Sequence, residues 1–262
     1  MTAPSFDSVQ PDGVQTAAAE ILTRAARRPL VMLAPTRGRP AAAAELIGAF
    51  VGTVGLGTPS ASLVLVVDDD DPELENYLAL GYPWTIVGPR LRLGPTLNAL
   101  APLAVSVGAE AVGFLGDDHR PRTLDWDSAL VAALRRMGAG VAYGDDGFQH
   151  ERIPTAVAIS ADLIEALGWM VPPGMIHLYL DDWWATLGRE LGRLAYLPEV
   201  LIEHMHPAAG KGEWDAAYHE VNSPQMFAHD GARFQEFLAA EWPALRARLH
   251  TRLDGMSPRS TP

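Results

Sequence analysis

The apolar residues of this chain fall into short unbroken runs, separated by stretches in which apolar positions recur every three to four residues. Leu30 to Ala34, Leu63 to Val67, Trp84 to Val87, Ala111 to Leu115, Gly140 to Tyr143 and Thr155 to Ser160 have the length and continuity of strands buried on both faces. Between them, 14–28, 40–51, 72–80, 95–107, 124–137 and 181–191 have the period of helices. Pro40 suits a first helical turn, Asp71 and Thr123 suit N-caps, and Gly81 and Gly138 suit stops. An extended segment at 194–206 and a C-terminal helix over 230–250 complete the pattern. Strand alternating with helix predicts an α/β fold with a mostly parallel central sheet flanked by helices. Residues 1–13 and 255–262 lack the pattern and are expected to be disordered tails around a single domain, 14–254.

The 262 residues and 48% apolar content suffice for one such core. The net charge of −12 argues against nucleic-acid polymers and anionic membranes as partners. With no cysteine, disulfides, thiolate nucleophiles and cysteine-bound metals drop out. No stretch reads as a spanning helix or a signal peptide, so a soluble, cytoplasmic protein is expected.

In a parallel sheet, ligands bind where strands end. Three polar clusters fall there. Pro35-Thr36-Arg37-Gly38-Arg39-Pro40 follows the first run, and its two guanidiniums match phosphate oxygens. Asp68 to Asp71 follows the second; Asp68 or Asp69 can accept hydrogen bonds from a nucleobase or ribose, although acidic runs are most often solvated loops. Gly116-Asp117-Asp118-His119 follows the fourth, and adjacent carboxylates form a hard oxygen site for Mg²⁺ or Mn²⁺ shared with substrate phosphates. Because Thr123 can cap the helix beyond, those aspartates are not needed as caps. Asp181 and Asp182 open a helix about 100° apart, so at most one faces a site. In Glu203-His204-Met205-His206-Pro207, a period of two places both histidines on one face, where they can hold a metal.

Taken in order, these clusters resemble the GT-A glycosyltransferases, above all their family 2. The pattern runs from Pro35-Thr36-Arg37-Gly38-Arg39 through Asp68-Asp69, Asn98, Gly116-Asp117-Asp118 and Asp181-Asp182-Trp183 to Glu203-His204-Met205-His206-Pro207. The resemblance implies a Rossmann-like GT-A fold and transfer of a sugar from a nucleotide-diphosphate donor to an acceptor hydroxyl, with Mn²⁺ or Mg²⁺. It implies that Thr36 and Asp68 or Asp69 contact the nucleoside. Asp117 and Asp118 stand as the metal element, Asp118 foremost, although the motif here is Asp-Asp-His rather than Asp-x-Asp. Asp181 or Asp182 is then the base, which implies inversion, and His204 a further metal ligand. Lys211, the only lysine, sits between glycines and is expected to close over the phosphates. A nucleotidyltransferase, or an inert nucleotide- or sugar-binding module on the same fold, are the alternatives; no Gly-rich phosphate loop supports the former.

Overall fold

The computed structural model describes residues 12–55 and 57–253. The expectations for 1–11 and for the tail beyond 253 lie outside those residues. The first helix, α1 (Asp12–Ala25), begins two residues before the expected boundary.

Eight strands form the sheet: β1 (Leu30–Thr36), β2 (Ala61–Asp68), β3 (Thr85–Gly88), β4 (Ala111–Phe114), β5 (His119–Pro121), β6 (Val141–Asp145), β7 (Val157–Ser160) and β8 (Leu194–His204). Their order is β3-β2-β1-β4-β7-β6-β8-β5. Neighbours from β3 to β4 run parallel, as do β6 and β8. β7 enters antiparallel between β4 and β6, and β5 pairs antiparallel with β8.

The helices are α2 (Pro40–Thr53), α3 (Leu74–Ala79), α4 (Leu93–Ser106), α5 (Trp126–Met137), α6 (Ala161–Leu167), α7 (Leu180–Glu190), α8 (Ala216–Val221), α9 (Pro224–Ala240) and α10 (Trp242–Leu253). Strand side chains alternate between two cores. Val31 and Leu33 of β1 face one built from α1, α4, α6, α7, α9 and α10. Leu30, Met32 and Ala34 face the other, built from α2, α3 and α5. Covering both faces is why the strands read as unbroken apolar runs. Truncating a fully buried member such as Leu33 to Ala costs about 2–5 kcal/mol.

Three local expectations are corrected, the first being the Asp71 cap, since α3 starts behind Glu73. Thr123 does not cap α5: its Oγ1 accepts from Leu201 N at 2.9 Å and so ties the loop to β8. The helix starts behind Asp125, held at φ 58°, and Asp127 in its first turn binds Gly55, Ser60 and Ala61 amides at 3.1, 2.7 and 3.0 Å. The single C-terminal helix is two, broken at Glu241. The short elements α6, α8 and β5 lie in segments whose periodicity was too brief to read.

Candidate active site

The carboxyl ends of β1, β2 and β4 open into one cavity of about 310 Å³. Pro35, Thr36, Arg37, Arg39 and Asp68 line it from β1 and β2. Asp117 and Asp118 enter from β4, Asp181 from α7, and His204 and His206 from the end of β8.

The first loop is braced from the second. Asp71 takes Gly38 N at 2.9 Å with one oxygen and Glu73 N at 2.7 Å with the other. Gly38 sits at φ 70°, a conformation that a side chain would strain, and the turn it makes sends Arg37 and Arg39 in different directions. Arg37 pairs with Asp68 at 2.9 Å and Asp70 at 2.5 Å. Arg39 grips Asp215 with two nitrogens, at 2.7 and 2.5 Å, and lies 3.4 Å from Asp117.

The adjacent aspartates occupy opposite electrostatic states. Asp117 is buried and accepts from Thr36 Oγ1 at 2.7 Å. Burial, followed by the neighbouring Asp118 charge, pushes its carboxyl up. Burial acts the same way on Asp118, but His119 and His204 outweigh it and hold that carboxyl well below the usual range. Asp118 Oδ2 lies 3.1 Å from His204 Nε2 and accepts the Tyr218 hydroxyl. Burial pulls His204 down, yet Asp118 and Asp146 raise it to about 9.

His119 completes the group. It lies opposite His204 in the β5–β8 register, and the two rings stack 4.3 Å apart, tilted by 17°. Gly116 N donates to His119 Nδ1 at 2.9 Å, which leaves Nε2 as the ring's other ligand atom. His119 Nε2 and His204 Nδ1 are buried without a hydrogen-bond partner. His204 Nδ1 does lie 3.9 Å from an Asp146 oxygen, an ion-pair distance too long for a hydrogen bond. Ligand atoms of Asp118, His119 and His204 fall within 4.8 Å of one another, the one such group found among the described residues. A carboxylate with imidazoles suits a divalent transition ion such as Mn²⁺, so the residues present fit a metal.

Other sequence candidates take other places. Asp117 directs its oxygens to Thr36 and Arg39, and His206 Nδ1 accepts from Ala208 N at 3.0 Å. Of the α7 pair, Asp181 reaches the cavity and Asp182 does not. Burial first, and the Asp182 charge second, raise Asp181 to about 6. Asp69 is exposed on the turn after β2. Asn98 instead braces the loop ahead of α7, taking Met170 and Val171 amides at 2.9 and 2.8 Å. Lys211 binds Glu203 at 2.9 Å, and neither lines the cavity.

Several lining residues escaped the sequence reading. Tyr218 and Glu220 come from α8, while Arg90, Arg92 and His177 come from loops. Asp215 caps α8 by accepting from Tyr218 N at 2.9 Å. A cap residue ahead of AlaAlaTyr was the available signal, but a six-residue helix gives no periodicity to confirm it. Asp230, fully buried on α9, accepts from Ile176, His177 and Leu178 amides at 3.0, 2.7 and 2.7 Å and fixes the loop that forms the cavity's far wall.

A doubly covered, mostly parallel sheet with an antiparallel β7 beside β4, and an acidic cluster where β4 ends, is a GT-A-type glycosyltransferase fold. The chain is similar to glucosyl-3-phosphoglycerate synthase from Mycobacterium tuberculosis, solved with Mn²⁺, UDP-glucose and glycerol 3-phosphate: 15% identity, TM-score 0.50, over 82% of this chain and 83% of that one. It is similar to a further mycobacterial protein at 16% identity and TM-score 0.50, over 82% and 78%. A Pyrobaculum calidifontis mannosyltransferase, solved with GDP-mannose and Mn²⁺, matches at 15% identity and TM-score 0.49, over 92% and 90%. No family model and no curated protein sequence matches the chain.

Proposed function

We propose that this protein is a metal-dependent glycosyltransferase that moves a sugar from a nucleotide-diphosphate donor to an acceptor hydroxyl. The observation that carries the reading is the convergence of Asp118, His119 and His204 on the cavity that Asp181 also enters. The structural neighbour solved with UDP-glucose and Mn²⁺ points the same way.

Asp118 and His204 would hold a cation, Mn²⁺ or Mg²⁺, with His119 beside them. Bound there, it would supply positive charge against the charge developing on the departing diphosphate. Thr36 and Asp68 lie on the strands that border the nucleoside end, and Arg37 orients Asp68 through their 2.9 Å ion pair. Arg39 can exchange Asp215 for a phosphate oxygen, because a guanidinium fork fits either anion. Asp181 takes the acceptor proton: raised to about 6, it is ionised at neutral pH yet basic enough to accept. A base on the acceptor side gives inversion at the anomeric carbon.

Calorimetric titration with UDP and GDP tests the reading. Binding is expected with Mn²⁺ and not with chelator, and Asp118→Ala should abolish the difference. Equal binding in both conditions overturns the metal role. Release of free sugar from a matching donor, slow and Mn²⁺-dependent, would identify the donor.

A further inference from the structure

Arg90 and Arg92 stand just past the carboxyl end of β3 and line the cavity. No step above uses them. Between them lies the Glu220 carboxylate from α8. Arg90 Nη2 donates to its two oxygens at 2.8 and 3.1 Å, and Arg92 Nη1 donates to Oε1. Two guanidiniums around one carboxylate is the arrangement by which proteins bind oxyanions.

Two further observations separate this cluster from an ordinary surface ion pair. Arg92 is held at φ 75°, ψ 169°, a region that favours glycine and strains any other residue. Its side chain makes no cap for α4, so the strained backbone brings no helix-capping gain. The second observation is how α8 is attached. It contains no buried residue, and polar contacts fasten it to the cavity: Asp215 to Arg39, Tyr218 to Asp118, and Glu220 to the two arginines. A six-residue helix without an apolar anchor opens at little cost. Its acidic groups cover guanidiniums that face the cavity, where without them Arg90 would keep only a longer 3.8 Å ion pair with Asp68, and Arg39 its 3.4 Å one with Asp117.

We infer that Arg90 and Arg92 form a subsite for a substrate oxyanion, phosphate or carboxylate, and that Glu220 is its internal occupant, released when substrate binds. The subsite stands on its own geometry, and only the naming of its substrate rests on the glycosyltransferase reading. The oxyanion belongs either to the donor's diphosphate or to an acidic acceptor.

The test is calorimetry with inorganic phosphate in the presence of chelator, so that the metal plays no part. Glu220→Ala is expected to bind phosphate at least tenfold more tightly than the unaltered protein, and Arg90→Gln in that background should remove the gain. Glu220→Gln, which keeps the side chain's shape, should show the same direction, and melting temperatures confirm that each variant is folded. No gain in either Glu220 variant overturns the subsite. Repeating the titration with saturating UDP and Mn²⁺ separates the sources: loss of phosphate binding assigns the subsite to the donor, and undiminished binding assigns it to an acidic acceptor. Were UDP not to bind at all, the glycosyltransferase reading would fail while the phosphate result stood.

Discussion

Tyr218 donates its hydroxyl to Asp118 Oδ2, the same oxygen that faces His204 Nε2 at 3.1 Å. The carboxylate best placed for a metal is therefore capped from α8, and the Tyr218 ring is held in turn by the Arg39 guanidinium, 4.2 Å from its centroid. A metal at Asp118 would have to compete with that hydroxyl. Tyr218→Phe removes the competitor and keeps the ring, so Mn²⁺ should bind more tightly by about 10–100-fold, the scale of one hydrogen bond to a charged group. Calorimetry with MnCl₂ checks this, and unchanged or weaker binding would place Tyr218 among the groups that support the ion.

Asp181 predicts a pH profile. Burial and Asp182 raise its carboxyl to about 6, so the base form fills in as pH rises, and kcat/KM should climb from pH 5 and level off above 7. Asp181→Asn should lower kcat by about 10²-fold or more while nucleotide binding stays within a few-fold. The same shift has a stability signature of opposite sense. The folded carboxyl holds its proton more firmly than the unfolded chain's, whose ordinary value is 3.8. Its contribution to stability is therefore largest below about pH 4 and is lost as pH rises to about 6. Melting temperatures of Asp181→Asn should gain on the unaltered protein across that window. A constant gap removes Asp181 as a perturbed acid.

Lys211 is expected to be silent. Its ammonium is paired with Glu203, which also binds Arg122, and burial is outweighed by the two cations in holding that carboxyl below its usual value. Lys211→Ala should change donor affinity and turnover by no more than about twofold, since a partly exposed ion pair contributes roughly 0–1 kcal/mol. A tenfold loss of turnover would mean that the Gly210–Gly212 segment closes over the phosphates after all.

Asp230 does not line the cavity, yet it is expected to matter for stability. Its carboxylate is fully buried, and Ile176, His177 and Leu178 donate to it. Replacing it with Ala leaves three amides without their acceptor and should cost about 2–4 kcal/mol in denaturant unfolding. Protease cleavage near 174–179 should accelerate at the same time. Unfolding within 0.5 kcal/mol of the unaltered protein would show that the loop is held by its apolar neighbours instead.

The sheet was legible because both of its faces are covered: a strand flanked by two cores has to be apolar throughout, and β1, β2 and β4 announced themselves in that way. The gathering of Asp118, Asp181 and His204 at one cavity was legible because each follows such a run or opens a clear helix. His119 was passed over as the tail of an acidic turn. Its partnership with His204 depends on the antiparallel pairing of β5 with β8, a non-local contact that no spacing records. Arg90 and Arg92 were missed for a similar reason, since their meaning comes from Glu220, far away in sequence. Lys211 stood out by its uniqueness in composition, which says nothing about its partner, Glu203. Thr123 misled because a hydroxyl ahead of a helix can bind a strand amide as readily as its own helix.

The pairing of β8 with two strands has a consequence for how this chain tolerates insertions and deletions. Between the rung Gly144–Leu197 and the rung Asp145–Leu201, β8 carries three extra residues, Pro198, Glu199 and Val200. Beyond them the strand resumes in step with β5, and that step sets His204 across from His119. The bulge acts as a spacer of fixed count. Loss of one residue from it would shift the second half of β8 by one position, and because strand side chains alternate, Met205 would then face His119 in place of His204. Residues 198–200 do not line the cavity, yet their number, more than their identity, decides whether the imidazole arrives.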